Sequence, residues 1–227
     1  MARDYWYRKK TWTPQDKEEF LVRLKRSRSA CSKAQYTCIQ AVDLLDTKKP
    51  ELVEPALELL DMILREWPEE TSQLAPTFQH RAKCFARLGR IDEAVIEYGK
   101  VFAQQRTFPK WRTGAHLDFA WLVATRRLVL LYDDAIARLD EFGRNEMFPL
   151  QKYLAATAQA LIAEDRGDVE AARNWANMAL GEASKTHTGF RYHPTLCLVE
   201  KIPDEQVHQR LEQLALAEHS SVQLDLL

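Results

Sequence analysis

Hydrophobic residues recur at intervals of three and four along most of the chain, which is the spacing of an amphipathic helix. A polar and basic stretch at the N-terminus and an irregular segment near residue 190 interrupt this pattern. In residues 73–88 the apolar positions are Phe78, Ala82, Phe85 and Leu88. Gly89 ends this run, and a second run with the same period follows over residues 91–102. Two such runs joined by a tight turn predict an antiparallel helical hairpin.

The hairpin pattern occurs four times. Its core reads hydrophobic-x-x-Ala-x-x-x-large-x-x-hydrophobic and begins at residues 53, 91, 132 and 169, with spacings of 38, 41 and 37 residues. The small residue at the centre of each unit is Ala56, Ala94, Ala135 or Ala172. Because a larger side chain would push paired helices apart, these alanines predict the helix crossings.

The two ends of the chain depart from the repeat. Thr13 followed by Pro14 predicts the start of an N-terminal helix. Residues 181–203 are irregular, a capping helix follows, and residues 219–227 are expected to fray. We therefore predict an all-α fold of about ten helices, with stacked hairpins forming an α-solenoid. Its three parts are an arm and helix over 1–30, repeats over 31–184, and a crossing loop, capping helix and tail over 185–227.

Two segments carry a family resemblance. LGRIDEAVIEYGKVF (88–102) and DRGDVEAARNWANMAL (165–180) each resemble the second half of a tetratricopeptide repeat. The likeness extends over roughly residues 33–184, although the spacings exceed the family's unit of about 34 residues. The unit that begins at residue 132 also lacks the turn glycine. The resemblance implies a curved scaffold whose first helices line a groove for ligands.

The charge pattern favours a protein partner. A net charge of −1 hides balances of +6, −6, +6 and −5 over residues 1–40, 41–70, 71–130 and 131–170. Nucleic-acid binders usually present one sustained basic face, so we do not expect nucleic acid as the ligand. Blocks of alternating sign suit a protein with its own charge pattern.

The termini and the cysteines indicate a cytoplasmic protein. The first residues have no apolar run behind them, so we expect no secretory leader and no membrane span. The chain reads as complete, without a fused catalytic domain. Its four cysteines form no ligand spacing, and Cys31 and Cys38 lie two helical turns apart, too far for a disulfide. We expect free thiols in a reducing compartment.

The candidate binding groove follows from the resemblance, which places ligand contacts on first helices. Trp and Arg are also enriched among interface hot spots. Gln79, Lys83 and Arg87 share one polar helix face because they are spaced by four residues. The candidate groove residues are Gln79, Lys83, Arg87, Trp111, Arg112, His116 and Asp118. In the alternative interpretation Trp111, Phe119 and Trp121 belong to the core and the charged residues are merely solvated.

The segment THTGFRYHP, residues 186–194, attracts attention for its two histidines. A metal site needs three or four ligands, and this segment contains no Cys, Asp or Glu beside its histidines. We interpret it as a structured connector that contributes His187, Arg191, Tyr192 and His193 to a recognition surface. Phe190, Tyr192 and Leu196 are expected to anchor it.

The segment DYWYRKKTW, residues 4–12, interleaves aromatic and basic residues. Such side chains can stack on bases and contact phosphates. They can equally pack as an arm over the first helices, with the cationic heads in solvent. The acidic residues that follow the segment favour an arm or a partner contact.

We expect a non-enzymatic protein-binding module, for example an adaptor or an immunity protein that neutralises a toxin. No Gly-rich phosphate loop, GxSxG elbow or HExxH motif is present, and we predict no catalytic residue, metal or cofactor. The alternative is an enzyme or nucleic-acid-binding protein in which three imidazoles and two guanidinium groups meet in the groove. Those residues would be His116, His187, His193, Arg112 and Arg191.

Overall fold

The computed structural model describes residues 5–144 and 146–216. Within these residues the chain forms ten α-helices and no strand, which confirms the predicted all-α fold. The helices are α1 Pro14–Lys25, α2 Ala30–Asp46, α3 Val53–Glu66, α4 Thr71–Arg87, α5 Ile91–Thr107, α6 Ala115–Thr125, α7 Tyr132–Phe142, α8 Pro149–Asp165, α9 Val169–Ala183 and α10 Glu205–Leu216. Short 3-10 turns, Pro50–Leu52 and Val129–Leu131, precede α3 and α7.

The first helix begins where the sequence predicts. The hydroxyl of Thr13 accepts a hydrogen bond from the Asp16 amide at 3.1 Å. The Asp16 carboxylate in turn accepts one from the Thr13 amide at 3.0 Å. Together with Pro14 in the first turn, this capping box satisfies amides that helix formation leaves without partners.

The helices gather into two compact units, residues 1–115 and 116–227. In the first unit α2 pairs with α3 and α4 with α5, while α4 also packs against α2 and α3. In the second unit α8 pairs with α9, α10 packs on α9, and α7 contacts α8. The α2–α3, α4–α5 and α8–α9 pairs are three of the four predicted hairpins, and the helices of the fourth, α6 and α7, are joined by a turn at Arg127. The three-part division at residues 30 and 184 stays a prediction.

The hairpin turns share a left-handed residue. Gly89 and Gly167 have φ values of +77° and +76°, which glycine adopts without steric cost. In the α6–α7 turn, where the sequence offers no glycine, Arg127 takes this conformation with φ of +53°. Its amide donates to Ala124 O and the next amide, of Leu128, donates to Val123 O. These two bonds form the same Schellman cap that closes the glycine turns.

The predicted crossing alanines lie in the core. Ala56, Ala94 and Ala135 have no exposed surface, and Ala172 is almost fully buried. Each sits on the second helix of its hairpin, so the burial expected of the small residue is confirmed, while its place at the helix crossing stays a prediction.

Two expectations concern the ends of the chain and the membrane. The predicted frayed tail, residues 219–227, lies outside the described residues, as do the first residues of the arm. Across 5–144 and 146–216, the helices lack the length and apolar character that crossing a bilayer requires.

Candidate protein-recognition surfaces

The connector between α5 and α6 displays a tryptophan on a fixed backbone. The Trp111 amide donates to Phe108 O at 3.0 Å. The Thr113 amide donates to the side-chain oxygen of the buried Gln105 at 2.7 Å. Trp111 nevertheless remains 47% exposed, and its neighbour Arg112 is also exposed. The alternative that placed Trp111, Phe119 and Trp121 in the core is therefore wrong for Trp111, whereas Phe119 is buried and Trp121 is half-buried against the core, as it expected.

The three candidate residues on α4 do not share one exposed face. Gln79 is buried, and its amide nitrogen lies beside Gly114 of the connector. Lys83 is half-buried, whereas Arg87 is exposed. Arg87 donates from Nη1 to Leu45 O at 2.6 Å, at the last turn of α2, where a cation is favourable. Expected as a surface contact, Gln79 is instead buried next to the segment that carries Trp111.

His116 is buried at the start of α6 in the second unit. It is 3% exposed, and its Nε2 lies 2.5 Å from Oε1 of Glu146. Its ring lies 6.3 Å from that of Phe142 at the end of α7. Asp118, two residues further along α6, is half-buried. His116 was expected to line a ligand groove, but its contacts hold the two ends of the α6–α7 pair together.

The crossing segment between α9 and α10 folds on itself. The Thr188 amide donates to Pro194 O, and its hydroxyl donates to His193 O, both at 2.8 Å. Gly189 turns the chain with φ of +86° and donates its amide to Nδ1 of His187 at 2.8 Å. The His187 imidazole thus stabilises the loop in which it lies.

Two contacts attach the crossing segment to the first turn of α8. The Phe190 ring packs 5.5 Å from that of Phe148, which immediately precedes α8. The Cys197 carbonyl accepts a hydrogen bond from the Leu150 amide at 3.0 Å. The expected anchoring role of Phe190 is confirmed.

The other two expected anchors face outward. Tyr192 is 79% exposed and Leu196 is also exposed, so the expectation that they anchor the segment is wrong. The exposed guanidinium of Arg191 lies 5.5 Å from the centroid of the Tyr192 ring. The segment therefore presents an adjacent aromatic and cationic pair, as the α5–α6 connector does.

The described residues bear on two kinds of chemistry, metal binding by clustered side chains and reaction at cysteine thiols. No group of three or more His, Cys, Asp or Glu side chains in 5–144 and 146–216 is placed to hold a metal ion. Burial raises the pKa of the Cys38 and Cys84 thiols to about 12, which keeps both protonated and non-nucleophilic at neutral pH. The contacts found for His116 are to Glu146 and Phe142, and those of His187 are within its own loop.

The N-terminal arm of the first unit is held by aromatic, hydrogen-bond and ion-pair contacts. Its aromatic side chains pack against residues of α1 and α2. The Tyr7 ring stacks on Tyr36 with centroids 4.5 Å apart, and the Trp6 ring lies 5.4 Å from Phe20. Aromatic pairs at these distances contribute beyond the area they bury.

A buried glutamine binds the backbone of the arm. The Gln40 side chain accepts a hydrogen bond from the Lys9 amide at 2.9 Å and donates one to Lys9 O at 2.8 Å. Gln40 has no exposed surface, so both bonds are shielded from water. Both polar atoms of a buried amide are thereby satisfied.

The basic residues of the arm are paired with carboxylates. Arg8 and Lys10 both contact Asp43, whose side chain is only 9% exposed. The Lys9 ammonium lies 2.8 Å from Asp16 and 2.6 Å from Glu19 on α1. These ion pairs already engage the basic side chains that contacts with nucleic-acid phosphates would require.

The electrostatic effect is clearest at Asp16. The hydrogen bond from Lys9 and that from the Thr13 backbone hold the pKa of this carboxyl well below its usual range. The arm packs over the first helices as expected, but its cations are paired with carboxylates and not left in solvent, because acceptors dispersed in the sequence come together there. Tyr36, Gln40 and Asp43 follow helical spacings of four and three, which could have indicated a shared face.

Each unit also contains an open cleft. The larger, about 390 Å³, lies between α1 and α3, and Lys17 and Glu58 pair across it at 2.9 Å. The smaller, about 230 Å³, is lined by α6, α8 and α10, and Arg127 pairs there with Asp165 at 2.6 Å. These charges satisfy one another, so neither cleft presents a strong field of one sign.

Comparisons with protein-family models, with curated proteins and with solved structures found no match to this chain. The tetratricopeptide resemblance is therefore a hypothesis about family, whereas the packed helical hairpins are a property of the structure itself.

Proposed function

We propose that this chain is a non-enzymatic protein-binding module with a tetratricopeptide-like architecture, acting in the cytoplasm as an adaptor or as an immunity protein that neutralises a toxin. The observation that carries the proposal is Trp111, a large aromatic side chain held half-exposed on a fixed connector beside Arg112.

Exposure of the apolar Trp111 ring to water is unfavourable, and a partner that buries the ring removes this cost. A tryptophan is among the largest apolar side chains and gains most from complete burial. Because the connector backbone is fixed by Gln105, little conformational entropy is lost when a partner covers it. Trp and Arg are also the residue types that dominate interface hot spots.

The crossing segment of the second unit supports the same function. Arg191 and Tyr192 repeat the arrangement of an exposed cation beside an exposed aromatic ring on a pinned loop. Tyrosine supplies a rigid contact area with few rotatable bonds. Each unit therefore provides one candidate contact for a protein surface.

The test begins with affinity capture of a stoichiometric partner by the native chain and measurement of the Kd with the purified partner. The double variant Trp111→Ala/Arg112→Glu should raise the Kd by about thirtyfold or more, the effect of losing a hot spot. For an immunity protein, the native chain should also abolish the partner's toxic activity at a one-to-one ratio.

A matched control variant makes the same charge reversal and a similar loss of apolar surface at exposed residues away from the connector. Ile96→Ala/Lys49→Glu alters two exposed residues of the same unit and should leave the Kd within about twofold. Equal Kd values for the native chain and the Trp111→Ala/Arg112→Glu variant would remove this connector from the binding surface.

A further inference from the structure

We propose that the groove between α1 and α2 is a peptide-binding site for a segment of a protein partner that carries adjacent aromatic residues followed by basic residues, and that the chain's own residues 5–12 occupy it in the partner's absence. This site is separate from the connector at Trp111, so either proposal can fail without the other.

The first argument is that the groove recognises backbone. Gln40 bonds to both the amide and the carbonyl of Lys9, in the manner of a neighbouring β-strand. Such a pair of bonds is independent of the side chain at that position. Any chain that passes Gln40 with the same backbone orientation could make both.

The second argument is that acidic groups line both walls. Asp43 on α2 takes the side chains of Arg8 and Lys10, two residues apart, while Lys9 points to α1. Asp16 and Glu19 receive it there. The groove therefore selects three consecutive cations whose side chains alternate between its walls.

The third argument is the aromatic platform ahead of the acidic walls. Tyr36 and Phe20 receive Tyr7 and Trp6, which precede the basic run. A turn closed by the Arg8 amide and Tyr5 O, at 2.9 Å, places both rings on the platform. The partner's recognised feature is thus an aromatic pair immediately before the cations.

The fourth argument is that the arm can be exchanged. The side chains of Arg8 and Lys10 remain about half exposed although both are paired. Tyr5 is also exposed, and Trp6 and Tyr7 are only half-buried. Tyr36, Gln40 and Asp43, in contrast, lie on α2, which packs against α3 and α4 independently of the arm.

The test uses the full-length chain with a weakened arm and an intact groove. The triple variant Trp6→Ala/Arg8→Glu/Lys10→Glu removes one ring and reverses the charges that Asp43 attracts. A fluorescein-labelled peptide of residues 5–12, YWYRKKTW, is titrated into this variant and into the native chain, with fluorescence anisotropy as the readout. The triple variant should bind it at least tenfold more tightly than the native chain.

Two controls establish that the groove is responsible. A peptide of the same composition with the aromatic and basic residues shuffled should bind at least tenfold more weakly than YWYRKKTW. Adding Gln40→Ala to the triple variant should weaken peptide binding at least fivefold, since it removes only the backbone contacts.

Stability provides a second readout if the triple variant folds poorly. The peptide should raise its Tm, or restore its helical circular dichroism on refolding, and the shuffled peptide should do neither. Equal binding by the native chain and the variant, equal binding of the two peptides, or no peptide effect on an unfolded variant would each overturn the proposal and leave the arm as a structural strap.

Discussion

The N-terminal arm and the crossing segment have similar compositions and opposite environments. Both interleave aromatic and basic residues. In the arm, Tyr7 stacks on Tyr36 and the cations reach carboxylates. In the crossing segment, Tyr192 lies in solvent with Arg191 beside its ring.

The difference comes from what the neighbouring helices offer. The arm runs past Tyr36, Gln40 and Asp43, which supply a ring, an amide and a carboxylate in its path. The crossing segment contacts the start of α8 at Phe148 and Leu150, packs Val199 on the core of its unit, and around residues 187–194 bonds to itself. The composition of a segment thus determines which groups it can bind. The helices beside the segment determine whether those groups are found within the chain itself.

The strongest test of this contrast exchanges an aromatic residue for alanine in each region. Trp6→Ala should lower the free energy of unfolding by about 3 kcal/mol because it removes ring contacts with Phe20 and Tyr36. Tyr192→Ala should change it by less than about 0.5 kcal/mol. Urea denaturation of both variants measures the two values, and equal losses would refute the contrast.

The second test addresses the charges of the arm. Asp16→Asn should cost about 2 kcal/mol at pH 7, since the carboxylate accepts hydrogen bonds from Lys9, Thr11 and Thr13. The folded pKa lies below the unfolded value, so this stabilisation is present above about pH 4 and is lost as the pH falls further. Denaturation between pH 7 and pH 2 should show the difference from the native chain shrinking in acid. A difference that is constant with pH would contradict it.

The third and smallest test addresses the crossing segment. Gly189→Ala should cost about 1 kcal/mol because its φ of +86° is unfavourable for residues with a β-carbon. Hydrogen exchange should show faster exchange at the Thr188 amide and no change at Lys9. The helical Gly181 has open space around it, and Gly181→Ala should stabilise the chain slightly, which makes the two glycines a matched pair of opposite sign.

The sequence predicted the architecture well because periodicity reports on burial. The hairpins, the cap at Thr13 and the crossing alanines depend on local spacing, and all were anticipated. The candidate site was harder to predict. Gln79 and Arg87 share a helix face in the sequence, yet Gln79 is buried in the tertiary structure and Arg87 bonds to the end of α2. Such outcomes depend on tertiary neighbours that one helix's pattern does not contain.

Arg127 shows that a hairpin turn can keep its backbone conformation without a glycine. A left-handed residue other than glycine costs about 1 kcal/mol, and the two hydrogen bonds of the turn are retained. Lys48, between α2 and α3, takes the same backbone conformation. Within the described residues, left-handed backbone geometry thus occurs at the turn inside each of the four hairpins, and only two of these turns carry a glycine.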